Sequence, residues 1–203
     1  MSTIVKRSSD PERAQSRRMQ VLDAAALCFA RSGFHGASMA QISKQAGMSA
    51  GHIYNYFDSK DAIIMAFVAM RVEHVTNRLC HVGQQDDPLE YMFEEIDEIV
   101  DEHLDRGFWT MSTEIHAEAA RNPVIAAALQ AADRGARAQL CALIQRGRAQ
   151  RGLAADDATV QGRTEAMAAM FNGLPMRALH HPDLDRRYLV DALRVAMKAL
   201  MLS

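Results

Sequence analysis

Residues 38–60, SMAQISKQAGMSAGHIYNYFDSK, have the pattern of two short helices joined by a tight turn. Ser38 can cap the first helix, and Gln41 three residues later can reach back to the amide of that cap, which makes a capping box. Gly47 stands where the chain must turn, and Ser49 is placed to cap the second helix, which is expected to carry residues 51–57. Two helices at this spacing predict a helix-turn-helix, whose second helix can enter the major groove of DNA.

A helical hairpin inside a bundle is the alternative that the pattern leaves open. In that interpretation Tyr54, Tyr56 and Phe57 are core residues, and the segment makes no contact with DNA. Periodicity and capping signals fit both structures equally well, so they do not separate the two interpretations.

The residues of this segment, taken in order, resemble the DNA-binding signature of the tetracycline-repressor (TetR) family. The residues that carry the resemblance are Ile42, Ala46, Gly47, Ser49, Gly51, Ile53, Tyr54, Tyr56, Phe57 and Lys60. Ser38 replaces the usual threonine but keeps its hydroxyl, and Ser43 stands where alanine is commoner. The resemblance covers the first third of the chain. It implies a ligand-responsive transcriptional regulator, a repressor whose dimer binds a palindromic operator and is released by an effector.

The composition predicts an all-α protein. Hydrophobic residues make up 49% of the chain, enough for a buried core, while glycine and proline number only 11 and 5. Alanine, leucine, methionine and arginine, which favour helices, are plentiful, and the runs of β-branched residues typical of strands are missing. Together with the resemblance, this predicts a three-helix DNA-binding domain over residues 1–59 and a helical ligand-binding and dimerisation domain over residues 60–203.

Charge is distributed unevenly along the chain. Residues 1–60 carry eight basic and four acidic side chains, which gives +4, whereas the remainder carries fifteen basic and twenty-one acidic side chains, which gives −6. A basic end on an acidic chain suits contact with phosphates at that end. Lys6 and Arg7 could extend this contact as an N-terminal arm.

The first residues of the two short helices are the predicted points of contact with DNA. Amides and hydroxyls at such positions face phosphates well, and the start of the second helix meets base edges. The resemblance implies phosphate contacts for Tyr54 and Lys60 and a core position for Phe57. The predicted DNA-binding residues are Arg17, Ser38, Met39, Ser49, Ala50, Gly51, His52, Tyr54, Asn55, Tyr56 and Lys60.

Proline, glycine and apolar spacing mark the other helices. The sequence predicts a helix that is capped by Asp10, begins at Pro11 and stops at Gly33, followed by a loop over residues 34–36. A long helix is predicted from Lys60 to about residue 81. Residues 89–105 carry an amphipathic pattern that predicts one helix, and its many carboxylates are expected to form a solvated face rather than a metal site. Further helices are expected from about 107, from Pro123 to about 152, from 158 to 179 with a kink near Gly173, and from 184 to 202.

An effector pocket is expected among the helices that follow the helix-turn-helix. The predicted lining residues are apolar apart from one histidine, namely Phe67, Met70, Met92, Phe93, Ile96, Trp109, Met111, His116, Leu140 and Phe171. Such a lining predicts a lipophilic or aromatic effector, and methionine suits an adaptable wall. Each of these residues fits an ordinary core position equally well.

The last predicted helix is apolar over so much of its circumference that it needs cover on two sides. The resemblance implies that a second subunit provides this cover, through a four-helix interface formed by residues 158–202 of each chain. Simple burial in the core of a monomer is the alternative.

Two other classes of protein compete with a regulator. A small enzyme or metal-binding bundle could use His103, Glu114, His116 and Glu118, but His116 lies two residues from each glutamate and does not share their helix face. No phosphate-binding loop, nucleophile elbow or HExxH motif is present, so we expect no enzymatic activity, no metal and no cofactor. The other class, a carrier of apolar ligands that never meets DNA, is disfavoured by the basic, hydroxyl-rich first segment.

The sequence also predicts a cytoplasmic location. The first 18 residues are polar and basic and lack the apolar stretch of a secretory signal, and no apolar run reaches the length of a membrane span. The three cysteines, Cys28, Cys80 and Cys141, are far apart and odd in number, which suits a reducing compartment.

Overall fold

The computed structural model describes residues 11–203, and all regular secondary structure within that range is helical, which confirms the all-α prediction. The expected cap of the first helix, Asp10, lies outside the described residues. The same is true of Lys6 and Arg7, which are expected to contact DNA. The helices are α1 Pro11–Gly36, α2 Met39–Ala46, α3 Ala50–Ile53, α4 Lys60–Gly83, α5 Pro88–Glu94, α6 Ile96–Leu104, α7 Arg106–Ala119, α8 Pro123–Gln150, α9 Asp157–Asn172, α10 Leu174–His180 and α11 Arg186–Leu202.

The chain divides into two compact units within α4. The first unit extends to Phe67 and holds α1, α2, α3 and the beginning of α4, and the second unit runs from Val68 to Ser203. The division falls about two helical turns after the domain boundary expected between residues 59 and 60, which is the start of α4.

Aromatic and branched side chains form the core of the first unit. Phe29 packs edge-on against Phe34 and Phe67, with ring centroids 5.4 Å and 6.4 Å apart. Ile42 of α2 and Ile53 of α3 are fully buried beside them in the same unit. Each such side chain contributes on the order of 1.5–3 kcal/mol by leaving water, so this core fixes the short helices α2 and α3, which are too short to be stable alone.

Helix α1 bends at Gly33, where the sequence predicts its end. Gly33 has φ 67° and ψ 167°, outside the helical region and accessible to glycine. Helical structure then resumes for one turn to Gly36, so the predicted loop of residues 34–36 is instead the last turn of α1. Phe34 in this turn is buried, and that burial holds the turn in place.

The helix expected over residues 89–105 is two helices in the structure. The break is at Glu95, which has φ −74° and ψ −2°, and α5 ends before it while α6 begins after it. Leu89, Phe93 and Ile96 are all buried on either side of the break. The apolar periodicity therefore runs through Glu95 without interruption, so no sequence pattern marks the change in backbone conformation.

Side chains of α5, α6, α8, α9, α10 and α11 build the core of the second unit, together with Val82 at the end of α4. The expected kink near Gly173 is confirmed, because α9 ends before this residue and α10 begins after it, with Pro175 in its first turn. Gly147 of α8 lies so close to Leu89 of α5 that a Cβ added there would come 3.0 Å from Leu89 Cδ1 and would overlap Cγ. This glycine lets the two helices approach closely.

Arg148, next along α8, is buried with only 2% of its surface exposed. Its guanidinium donates hydrogen bonds to the carbonyl oxygens of Ala154 at 2.6 Å and Met201 at 2.5 Å. Burial lowers the pKa of Arg148, and the nearby charge of Arg163 acts in the same direction. The side chain thus satisfies carbonyls at the end of α11, where a helix leaves such groups without partners.

Aspartates cap four helices of the second unit. Each carboxylate accepts a hydrogen bond from a backbone amide two or three residues later, and the residues are Asp87 for α5, Asp105 for α7, Asp156 for α9 and Asp185 for α11. Helix α8 is capped by Asn122, with Pro123 in its first turn, as the sequence predicts. No helix in residues 11–203 is both long enough and apolar enough to span a membrane.

Candidate DNA-binding and effector sites

The first helix of the helix-turn-helix, α2, is capped as the sequence predicts. Ser38 Oγ accepts a hydrogen bond from the Gln41 amide at 3.2 Å, and Gln41 Oε1 accepts one from the Ser38 amide at 2.7 Å. Gly47 ends the helix with φ 64° and ψ 31°, a left-handed conformation that favours glycine. The buried Ser43 donates its hydroxyl to the Met48 carbonyl, so the departure from alanine at this position adds a bond across the turn.

The second helix, α3, is shorter than predicted. Ser49 caps it by accepting a hydrogen bond from the His52 amide at 3.3 Å, but the helix ends at Ile53 rather than continuing to Phe57. The next residues form tighter turns, in which the Tyr56 amide donates to the Ile53 carbonyl at 2.9 Å. Ile53 and Phe57, four residues apart, are both buried, while Tyr54 between them stays 49% exposed.

Most of the predicted DNA-binding residues lie on the surface of the first unit. Met39, Tyr56 and Lys60 are half-buried, and the exposed ones are Arg17, Ser38, Ser49, Ala50, Gly51, His52, Tyr54 and Asn55. A Cβ added at Gly51 would meet nothing within 4 Å, so packing within the first unit does not require glycine there. The contacts of all these predicted residues with DNA remain predictions.

His52 and Tyr56 form a pair on the exposed side of this segment. The Tyr56 hydroxyl lies 3.3 Å from His52 Nε2, and the two ring centroids are 5.4 Å apart. Because one imidazole nitrogen is engaged by the tyrosine, the ring orientation is restricted and Nδ1 is left for another partner.

Lys60 has an internal role that the sequence did not indicate. Its ammonium donates to the carbonyl oxygens of Phe34 at 2.7 Å, His35 at 3.3 Å and Ala37 at 2.7 Å. These contacts use all three hydrogens of the ammonium group, at the carbonyl end of α1. The phosphate contact implied for Lys60 stays a prediction, and it would require the ammonium to give up at least one of these carbonyls.

Two further side chains of α1, which were not among the predicted residues, attach this helix to the helix-turn-helix. Arg18 lies over the Phe57 ring, 4.4 Å from its centroid. Gln20 donates from Nε2 to the Ala46 carbonyl at 2.7 Å and accepts from Arg17 at 2.8 Å. Arg17 is therefore held on the exposed side of α1 by a residue that also binds the end of α2.

The predicted effector residues are only partly brought together. Met92, Phe93 and Ile96 are buried in the core of the second unit, and Leu140 and Phe171 pack against the same cluster. Met70, Trp109, Met111 and His116 are not members of that described cluster, and Phe67 belongs to the first unit. Nδ1 of the exposed His116 donates to the Ser112 carbonyl of its own helix at 2.7 Å.

His103 is the buried polar side chain that the pocket prediction omitted. It is 9% exposed, and its Nδ1–H donates to the Ile99 carbonyl at 2.7 Å. Burial lowers the pKa of His103, with a smaller opposing contribution from the bond to Ile99. Its ring lies 5.1 Å from Phe108 and 5.9 Å from Phe171. A lone histidine in an apolar helix face carries no sequence signal that separates this position from an ordinary core residue.

In the described part of the chain, no three histidine, cysteine, aspartate or glutamate side chains are grouped so that they could hold a metal ion. His103 and His116 both use Nδ1 for carbonyls within their own helices, α6 and α7. Both imidazoles are therefore oriented by local helix hydrogen bonds.

Comparisons with known proteins agree with this architecture. Residues 21–67 match the family of bacterial regulatory proteins called tetR, and residues 93–201 match the family described as BetI-type transcriptional repressor, C-terminal. Regulators of these families are generally not enzymes.

Among individual proteins, the chain is 36% identical over 117 residues to the HTH-type transcriptional regulator UidR of Escherichia coli. The aligned part is 58% of this chain and 59% of UidR, so the chain spans about three fifths of the length of that relative. The solved structure of Salmonella enterica GusR is 27% identical, with a TM-score of 0.73 over 93% of this chain and 96% of GusR. FadR of Bacillus subtilis, solved in complex with stearoyl-CoA, has the same fold at 18% identity, with a TM-score of 0.74 over 91% and 97%. The protein thus belongs to the TetR family of bacterial regulatory proteins.

Proposed function

We propose that this protein is a homodimeric transcriptional repressor that binds a palindromic operator and leaves it when a small effector binds the second unit. The observation that carries this proposal is the exposed surface around α3, from Ser49 to Asn55, held in place by the capped turn and the buried Ile53 and Phe57. Helix-turn-helix proteins read bases with residues at this position and obtain affinity from phosphate contacts around them.

A second chain is expected to cover α9 and α11. On α11 the exposed residues Tyr188, Ala192, Val195 and Ala199 recur every three or four positions, opposite a face that is buried in the core. We name these four residues the outer stripe of α11. Tyr188 is 73% exposed and Val195 is 70% exposed. Apolar residues exposed in a continuous row are typical of an interface between subunits.

Helix α9 offers a complementary surface of small residues. Gly162, Ala166 and Ala169 are all exposed and lie on one side of the helix at spacings of four and three. Small residues let helices approach closely, and four such helices from two chains form a bundle. A two-fold dimer built in this way presents two DNA-binding units to the two halves of a palindrome.

The effector is proposed to bind in the second unit, and two observations support this. The core cluster there contains Met92 and Phe171, which are adaptable or aromatic, beside the buried His103. FadR of Bacillus subtilis, which shares the fold, was solved with stearoyl-CoA. An effector that binds more tightly to a conformation in which the two DNA-binding units do not fit the two half-sites would release the protein from the operator.

The test is fluorescence anisotropy of the full-length protein on the intergenic DNA upstream of its own gene, against scrambled DNA, at two salt concentrations. We expect specific binding that weakens as salt increases, because phosphate contacts release counterions. Tyr54→Ala should reduce the affinity about tenfold, equivalent to ~1.4 kcal/mol, whereas Leu27→Ala, with similar exposure on α1, should leave it unchanged. If neither the upstream DNA nor a selection from random sequences yields a bound site, the repressor proposal is wrong and a carrier of apolar ligands takes its place.

A further inference from the structure

Ion pairs and the partly buried Leu79, rather than fully buried apolar side chains, attach the middle of α4 to the second unit. Val68 and Val82 are each 4% exposed, but none of the residues between them on α4 is buried. Three side chains along this stretch, Arg71, His74 and Arg78, are spaced by three and four residues and lie on one face of the helix. We name these three the cation row.

A single carboxylate on α6 receives the whole cation row. Glu102 Oε1 accepts from Arg71, and Glu102 Oε2 accepts from Arg78 at 3.1 Å and lies 3.2 Å from His74 Nε2. Burial is the largest single influence on Glu102 and raises its pKa, but the charges and hydrogen bonds of Arg71 and His74 together outweigh it and leave the pKa below its ordinary value. The other carboxylate in reach, Glu98, is 3.9 Å from Arg78 and has a 71% exposed side chain. Two arginines thus share one ordered carboxylate, so positive charge exceeds negative charge within this cluster.

Aromatic rings continue the surface beyond Arg71. The guanidinium of Arg71 lies 4.5 Å from the centroid of Phe108, whose ring lies 5.1 Å from that of His103. His103 makes one hydrogen bond within residues 11–203, from Nδ1, so in the neutral imidazole Nε2 is an acceptor. The side chains that follow one another along this surface are therefore Arg71, Phe108, His103 and Phe171, in that order.

We infer that the cation row and these rings bind a small organic acid, whose carboxylate replaces that of Glu102 at Arg71 and Arg78 while its apolar body packs against Phe108. This inference rests on the proposed function, and it names the chemical class of the effector. Arginine suits this role because its guanidinium pairs with carboxylates through two parallel hydrogen bonds. A neutral molecule of the same shape cannot compete with an ionised Glu102.

The exchange has a consequence for α4. Once Glu102 is displaced, the stretch of α4 from Arg71 to Arg78 is held by the bound acid instead of by its ion pairs with α6, because none of the side chains in this stretch is fully buried. Helix α4 begins at Lys60 in the first unit and ends at Gly83 in the second, so it is covalently continuous between them. An acid that binds more tightly when α4 is in one position than in another would thereby couple its own binding to the binding of DNA.

The inference is tested by titrating the full-length protein with benzoate, phenylacetate and hexanoate, each beside its primary amide. Trp109, the only tryptophan and the neighbour of Phe108 in α7, reports binding through its fluorescence. We expect at least one acid to bind at least tenfold more tightly than its amide. Arg71→Gln and Arg78→Gln should each remove this preference, and Arg137→Gln, which alters an ion pair with Asp133 elsewhere in the second unit, should preserve it. Thermal unfolding of each variant confirms that it is folded.

Glu102→Gln provides a separate test of the exchange. The amide keeps the size of the side chain but removes the competing charge, so the preferred acid should bind about tenfold more tightly than to the wild-type protein. Equal affinity for acids and amides, no binding of any acid, or no gain in Glu102→Gln would overturn the inference. These titrations contain no DNA, so a protein that binds DNA but not acids contradicts this inference alone, and one that binds acids but no DNA contradicts the repressor proposal.

Discussion

Val195 lies in the outer stripe of α11 with 70% of its surface exposed, and it is the residue whose substitution tests the proposed dimer most directly. The buried residues of α11 lie on the other side of the helix, and they are Val190, Leu193, Met197 and Met201. Val195→Glu therefore places a charge on the proposed interface without touching the core of the chain that carries it. The monomer should fold with nearly unchanged stability.

The expected loss follows from the exposed area. Burying a whole valine contributes about 1.5–3 kcal/mol, so covering the exposed 70% of Val195 contributes about 1–2 kcal/mol in each chain. A two-fold interface contains the residue twice, which gives roughly 2–4 kcal/mol in total. This corresponds to an increase in the dimer dissociation constant of about 30- to 1000-fold, and the buried glutamate charge adds to it.

The measurement is sedimentation equilibrium or light scattering over a range of protein concentrations. Val124→Glu is the matched control, because Val124 is 66% exposed and lies at the start of α8, where a carboxylate is favourable. A wild-type protein that is monomeric at every concentration would refute the proposed interface. Equal dissociation constants for Val195→Glu and the wild type, or the same loss in Val124→Glu, would do so as well.

Three further substitutions test the packing and the DNA-binding surface. Gly147→Ala should lower the free energy of unfolding by about 1–3 kcal/mol in chemical denaturation, because its Cβ would overlap Leu89. Arg148→Met should lower it by about 3 kcal/mol, because it leaves buried carbonyls at the end of α11 without donors, and an unchanged midpoint would contradict this role. Gly51→Ala should leave stability unchanged or slightly higher, as should Gly135→Ala in α8, since both glycines face open space. Only Gly51→Ala should weaken operator binding in anisotropy, and equal binding by both variants would show that the DNA backbone does not approach this residue.

Features that depend on neighbouring residues were predicted well. The capping box of Ser38 and Gln41 and the turn at Gly47 were all apparent from the sequence. Each involves hydrogen bonds between groups a few residues apart, so the residue types and their spacing determine the geometry. The same reasoning located the break at Gly173, where glycine and proline together disrupt a helix.

Features that depend on distant contacts were not predicted. Lys60 uses its ammonium on carbonyls 23 to 26 residues away, and Arg148 binds a carbonyl 53 residues away. No local pattern distinguishes such a side chain from one that faces solvent. The break at Glu95 was missed for a related reason, since the buried residues on both sides keep helical spacing and only the backbone angles change.

The serine caps of the helix-turn-helix differ from the aspartate caps of the second unit, and the difference has an electrostatic consequence. Helices α2 and α3 are capped by the neutral Ser38 and Ser49 and carry no acidic residue in their first turns. A helix start carries about half a positive elementary charge from its aligned peptide dipoles, and the aspartate caps of the second unit offset that charge where the serines do not. Serine thus caps the helix and leaves its field available to phosphate, whereas aspartate at either position would stabilise the helix at least as well and repel DNA.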